Sequence, residues 1–257
     1  MTALAAPTYF ISDLHLEASR PEITQAFHHF LNNIAHDAGV LYILGDFFNA
    51  WFGDDNGSDF IESVKTTLRE YSAKGVKVYF IHGNRDFLIG ERFAQEAGLT
   101  LLPEVQVINL HGREVVVLHG DSMCTADTDY MAFRERVRDP AWQKKALGRP
   151  LWLRRMVAAY LRSRSKKSTM QKSAEITDVT PATVAQVFEQ YGCTTMIHGH
   201  THRPKRHQLS TALGECERIV LGDWAAHGWY LKADEGGLDL CHFTPEESPE
   251  SSSEPSS

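Results

Sequence analysis

The chain has 257 residues, 42% apolar and 23% charged, and a net charge of −7, enough for one large core carrying an inserted segment. No run reaches the roughly 20 apolar residues of a membrane span, "MTALAAPT" has neither the basic nor the apolar region of a signal peptide, and the net charge excludes wholesale coating of nucleic acid. Cys124, Cys193, Cys216 and Cys241 are scattered without a CxxC pair, which argues for reduced thiols in a cytosolic protein rather than a disulfide framework or structural zinc site.

In chain order, "TYFISDLH", "VLYILGD", "VKVYFIHGNRD", "VVVLHGD" and "TTMIHGHTH" are short β-rich runs, each ending in Gly, Asp, Asn or His. Near-continuous apolar runs of this length predict buried strands. Between them lie "EITQAFHHFLNNIAHDAG", a helix expected to stop at Gly39, and "DFIESVKTTLREYSAKG", expected to stop at Gly75. Strands alternating with helices predict an α/β fold. The basic stretch that follows breaks the rhythm, with "DYMAFRERVR" and "PLWLRRMVAAYLRSR" reading as helices, the second opened by Pro150. "TPATVAQVFEQYG" restores it as a helix capped by Thr180, and "RHQLS", "RIVLGDW" and "LDLCHF" predict a more antiparallel second half. We therefore expect an α/β core at 8–120 and 177–243, a helical insertion at 121–176, and a disordered acidic tail at 244–257, "TPEESPESSSEPSS".

Between Arg134 and Lys172 stand 13 of the chain's 26 Lys and Arg, against only Glu135 and Asp139, so the insertion implies a local anionic partner. Trp152, Met156, Val157, Tyr160 and Leu161 recur at helical spacing. Most of this stripe is expected to pack the insertion's helices on the core, leaving the arginines as a solvated face.

The strand ends carry the chemistry. Asp13 and His15 flank Leu14, so a period of two points both side chains one way. Asp46, Asn84 and His119 end the next three runs, and His200 and His202 are again two apart. Singly, an Asp or His in a turn needs no metal. Together they offer hard oxygen and borderline nitrogen donors without thiolate, which suits Mn²⁺, Fe²⁺ or Zn²⁺. Seven donors exceed what one catalytic ion takes from protein, so two metals are the economical reading.

The order "SDLH", "LGD", "HGNRD", "LHGD" and "HGHTH" resembles the calcineurin-like metallophosphoesterases. The resemblance implies a sandwich of two mixed β-sheets flanked by helices, with a two-metal centre along one edge. By position, Asp13, His15, Asp46 and His202 would hold one metal. Asp46 would bridge to the second, held also by Asn84, His119 and His200, and would place the attacking hydroxide. His198 has no ligand counterpart there and is expected to orient a neighbouring ligand, or else simply to pack. Many members carry a histidine after this Gly-Asn as a proton donor to an alkoxide, where this chain has Arg85. Arginine stays protonated, so a leaving group that needs no proton fits better. Arg85 either clamps a second phosphate, the expected role, or pairs with Asp86.

Within that family, "GDFFNAWFGDD", "HGNRDFLIG", "LHGDSMCTADTDYMAFR" and "HGHTHRPKRH" are similar to the UDP-2,3-diacylglucosamine pyrophosphohydrolases of lipid A biosynthesis. This narrower resemblance implies Mn²⁺, the products UMP and 2,3-diacylglucosamine 1-phosphate, and a helical lid that receives acyl chains. Substrate contacts would fall on Asn84, Arg85 and His200 at the phosphates and on Asp127, Ser165, Thr169 and Lys172 from the insertion; Ser165 and Thr169 could equally be turn or cap residues. Thr169 stands where Asn is expected and Asn49 where the pattern has Glu. The implied location is cytoplasmic, peripheral on the inner face of an anionic bacterial inner membrane. No nucleic-acid partner is expected, and oligomeric state has no signature in the sequence. The rival readings are a hydrolase of soluble dinucleoside polyphosphates or nucleic acid, and a non-catalytic scaffold binding a protein through the insertion. The complete donor set opposes the scaffold.

Overall fold

The computed structural model describes residues 6–159 and 176–245. Ser165, Thr169 and Lys172 lie outside these residues, as do 246–257 of the expected tail.

Strands β1 (Thr8–Ile11), β2 (Val40–Ile43), β3 (Lys77–Phe80) and the short β4 (Thr100–Leu101) pair in parallel in that order. Parallel neighbours need crossovers, supplied by α1 (Pro21–His29), α2 (Asp59–Ala73) and α3 (Glu91–Ala97). On the far side of β1 the hairpin β10 (Gly228–Asp234) and β11 (Gly237–Phe243) adds antiparallel strands. The second sheet joins β5 (Val105–Leu110), β6 (Arg113–Leu118), β7 (Thr195–His198), β9 (Gly214–Val220) and β8 (Lys205–Thr211) in that spatial order. Its centre, β6-β7-β9, is parallel and its edges are antiparallel. Two mixed sheets flanked by helices are the expected architecture.

The unbroken apolar runs follow from three stacked layers. Neighbours on a strand point to opposite faces. Phe10, Ile81, Val115, Val117, Ile197 and Ile219 therefore meet between the sheets. Tyr9 and Ile11 face outward, onto Phe27 and Phe30 at the first crossover and Val64 and Leu68 of α2. Val116, Leu118 and Met196 face the other way, onto Val184 and Phe188 of α6 (Pro181–Tyr191). Each fully buried Phe or Leu stabilises the fold by about 2 kcal/mol.

Two helix ends differ from the pattern reading. The first helix does not run to Gly39; it widens into a π-helical turn at Phe30–Ile34 and ends at Ala35. Tyr9 donates to the Ile34 carbonyl at 3.1 Å and Tyr71 to the Ala35 carbonyl at 2.6 Å. These tertiary donors satisfy the orphan carbonyls of a helix end, so no glycine is required. Thr180 does stand at the start of α6, with Pro181 following, but its hydroxyl makes no cap hydrogen bond.

Between β6 and α6 the described chain is helical: α4 (Thr128–Arg138), α5 (Pro140–Leu147) and the segment 151–159. Here the expected orientation is reversed. Trp152, Met156 and Val157 are 66%, 57% and 46% exposed, whereas Arg154 is 9% exposed. The reason is the surface beneath. Arg154 donates to the Phe52 carbonyl and the Asp55 carboxylate, and Arg155 Nε lies 3.2 Å from Asn56 Oδ1. A helix facing a loop of carbonyls and carboxylates turns the Arg154 guanidinium inward, while Arg155 stays exposed at the edge. Tyr160 and Leu161 of the stripe lie outside the described residues.

Candidate metal centre

Both parallel sets of strands deliver their carboxyl ends to one edge of the sandwich. Asp13 and His15 follow β1, Asp46 follows β2, Asn84 follows β3, His119 follows β6, and His200 and His202 follow β7. Five of these seven, Asp13, His15, Asp46, His200 and His202, have φ between +50° and +69°. Non-glycine residues rarely adopt this conformation and persist in it only where the surroundings hold them there. Backbone ties do so: Asp13 N and His15 N donate to the Gly45 and Asp46 carbonyls at 3.1 and 2.9 Å. The loops also touch closely. A Cβ on Gly45 would lie 2.6 Å from Gly83 Cα and 2.7 Å from His119 Nδ1, so glycine is required there.

The side chains converge in two overlapping groups, Asp13–His15–His202 and Asp13–Asp46–His119. His15 Nε2 is 3.2 Å from His202 Nε2, and His202 Nε2 is 3.2 Å from Asp13 Oδ1. Asp46 reaches both sides, with Oδ2 3.9 Å from His15 Nδ1 and Oδ1 3.6 Å from His119 Nε2. Asn84 Oδ1 lies 3.0 Å from both His119 Nε2 and His200 Nδ1. All seven sequence-derived donors are thus brought together.

The donors fit cations. His119 Nδ1 donates to the Leu44 carbonyl at 2.8 Å, so its Nε2 faces the oxygens of Asn84 and Asp46; against burial, Asp46 and Asp13 raise its pKa. Among the described residues the buried His15 Nδ1 has no hydrogen-bond partner, a cost that a bound ion would remove. Burial, opposed by His119 and reinforced by Asp86 and Asp13, pushes the Asp46 carboxyl up to about 7. Burial likewise pushes His15 down to about 3 and His200 down to about 4, leaving neutral imidazoles, the form that ligates metal.

Around the donors stand residues that fix them. Ser12 donates to Asp13 Oδ2 at 2.5 Å, and the same oxygen accepts His200 N at 2.8 Å. His198 is fully buried and binds no other donor of the centre. Burial and Arg218 push it down to about 3; Arg218 donates to its Nε2 at 3.0 Å while its Nδ1 donates to the Gly199 carbonyl at 2.8 Å. It thereby holds the backbone just before His200. Asp86 does not pair with Arg85. Its buried carboxylate accepts the amides of Phe47 at 2.8 Å and Gly83 at 2.9 Å, clamping the Asp46 loop to the Asn84 loop.

Arg85 sits at the rim, 41% exposed at its side chain, with Nε 3.5 Å from Asp46 Oδ2. One guanidinium nitrogen donates to Asn49 Oδ1 at 3.1 Å, and Asn49 Nδ2 donates to Glu17 Oε2 at 2.5 Å. This accounts for Asn49: its amide accepts from Arg85 and donates to Glu17, which a glutamate at 49 could not do. Asp127 accepts the Tyr130 amide at 3.0 Å and so caps α4. Pattern reading missed Asp121, Tyr130 and Glu17, and it named Asp86 and Asn49 without finding these roles. The only signal for Asp86 was its place after "GNR", and for Asp121 its place after "HG".

A family model described as calcineurin-like phosphoesterase matches residues 6–204. The chain belongs to this family. Phosphoesterase relatives include proteins named UDP-2,3-diacylglucosamine hydrolase. One, from Cellvibrio japonicus, is 52% identical over 91% of this chain and 97% of that protein. Others are from Enterobacter (48% identical; 92% and 98% covered) and Pseudomonas aeruginosa (50% identical; 89% and 95% covered).

Proposed function

We propose that the chain hydrolyses the pyrophosphate of UDP-2,3-diacylglucosamine to UMP and 2,3-diacylglucosamine 1-phosphate. The observation that carries this reading is identity of about half the residues, over about nine-tenths of the chain, with proteins bearing that substrate's name.

Asp13, His15, Asp46 and His202 would hold one divalent ion, and Asp46, Asn84, His119 and His200 the other, with Mn²⁺ the proposed metal. When bound, such a pair supplies positive charge for phosphoryl oxygens and lowers the pKa of water. The protein's own residues orient the substrate. Arg85, which donates to the Asn49 amide and lies 3.5 Å from the Asp46 carboxylate, has further donors for a second phosphate. Hydrolysis forms a bond from water oxygen to phosphorus and breaks the bridging P–O bond. The departing phosphate leaves without a proton, so arginine at 85 is no handicap.

Residues 8–120 and 177–243 would form the catalytic core and 121–176 a lid. A groove of about 1100 Å³ runs along α4 and α5, lined by apolar Met131, Ala132 and Trp142 beside Arg134, Arg136 and Arg138. Thr125, Thr128, Glu135 and Asp139 line it as well, so the groove offers an acylated phosphate apolar contact and arginine donors within a mixed-charge wall. Asp127, Ser165, Thr169 and Lys172 would add sugar and phosphate contacts. Among the described residues no helix is long and apolar enough to cross a membrane. The outward Trp152, Met156 and Val157 support peripheral contact with the cytoplasmic face of an anionic membrane.

The test is Mn²⁺-dependent release of UMP from UDP-2,3-diacylglucosamine, beside UDP-N-acetylglucosamine and a dinucleoside tetraphosphate, with Asp46→Ala as control. UMP from the diacylated substrate alone, lost in the control, is the expected result. Cleavage of the soluble compounds instead would keep the metal centre and discard the lipid substrate.

A further inference from the structure

Asp121 stands two residues after His119, at the start of a single 3-10 turn, Asp121–Met123, and is 1% exposed. Its carboxylate is not spent on capping: the side-chain hydrogen bonds it accepts come from Tyr130 Oη at 2.7 Å and Arg134 Nε at 2.9 Å. Arg138 approaches the same oxygen at 3.7 Å. Tyr130, Arg134 and Arg138 are spaced by four, so they form one stripe along α4.

That stripe also touches the metal centre. Arg138 donates to the Gly83 carbonyl at 2.9 Å, one residue before Asn84. The Tyr130 ring lies 6.2 Å from the His200 ring, nearly parallel at 26°. One buried carboxylate oxygen therefore gathers a tyrosine that backs one candidate ligand and an arginine that holds the backbone of another. The second oxygen, Oδ1, is buried with no hydrogen-bond partner, so the charge of Asp121 is answered by α4. Arg134 also pairs with Glu104 and keeps a counter-charge if Asp121 is neutralised; among the described residues Arg138 pairs with no second carboxylate.

We propose that Asp121 is a positioning residue that fastens α4 to the Asn84–His119–His200 half of the centre, so that helix placement and the second metal site are set together. This rests on the reading of those three residues as ligands. Groups that orient metal ligands typically change affinity or activity by about 10–100-fold when altered.

The experiment is calorimetric Mn²⁺ titration of the full chain carrying Asp121→Asn, which keeps the volume and removes the charge. Expected is a second Mn²⁺ equivalent weakened by at least about 10-fold, the first unchanged, and a fall in kcat larger than any rise in KM. Arg138→Gln should act in the same direction, and the double variant should be no worse than the poorer single variant, because the two residues act through one link. Wild-type binding of both equivalents in Asp121→Asn, or strictly additive losses, overturns the proposal. If Asp121→Asn does not fold, Arg138→Gln decides alone: a weakened second equivalent supports the link and wild-type binding refutes it. Asn84→Ala separates the two levels of inference. Should it still bind two equivalents, the ligand assignment itself has failed.

Discussion

The edge that gathers the seven donors and the helical insertion beside it are stabilised in opposite ways. At the edge, position is set by backbone: parallel ladders end in step, glycines let the loops touch, and five donors are held at positive φ. In the insertion, buried Met123, Cys124 and Val137 anchor the start, and side-chain charge adds the remaining ties. Arg134 pairs with Glu104 and Asp121, and Arg154 with Asp55, while Trp152, Met156 and Val157 face outward. Among the described residues of the basic block, Arg134, Arg138 and Arg154 are therefore not free surface charge. The contrast teaches that backbone fixes the donor geometry, whereas the insertion depends on ion pairs that single substitutions can remove.

Three substitutions sharpen this contrast. The largest effect should come from Gly83→Ala. Its methyl would fall on the Asp46 amide nitrogen and carboxylate, so the Asp46 and Asn84 loops must part. A misplacement on the order of 1 Å at a reacting centre costs roughly 100-fold. Steady-state kinetics and Mn²⁺ stoichiometry should both fall; retention of both would mean that the edge is compliant. A smaller effect is expected for Arg154→Ala. The arginine is buried, but Asp55 is about half exposed and regains water when its partner is lost. The loss of stability should be about 1–2 kcal/mol by denaturant unfolding, below the 3–5 kcal/mol of a fully buried pair. The smallest should be Trp152→Ser, which leaves unfolding free energy within about 0.5 kcal/mol because the side chain faces outward. That variant should nevertheless weaken sedimentation with anionic vesicles. A strongly destabilised Trp152→Ser would place the stripe against protein after all.

Legibility followed the same division. Each strand-end donor could be read because metal chemistry demands particular residue types, and because period-two strands put Asp13 and His15, or His200 and His202, on one side. Helix α2 was equally legible: Ser58 accepts the Ile61 amide and Gly75 follows at φ +98°. The direction of the stripe at Trp152 was not, since an amphipathic helix declares two faces without saying which one meets the core. Its answer lay in Phe52, Asp55 and Asn56, about a hundred residues earlier. Asn49 was opaque for the same reason, its partners Glu17 and Arg85 being far off in sequence.

By itself, the amino-acid order determined the α/β architecture, the donor set at the strand ends and the family resemblance, because these depend on residue type and short-range spacing. Only the tertiary structure decided that Asp86 braces backbone instead of pairing with Arg85, that Asp121 is answered by α4, and that Arg154 lies inside while Trp152 lies outside. A buried charge takes whichever partner the fold brings to within about 3 Å, and that partner is chosen by the crossing of distant segments, which no local pattern records.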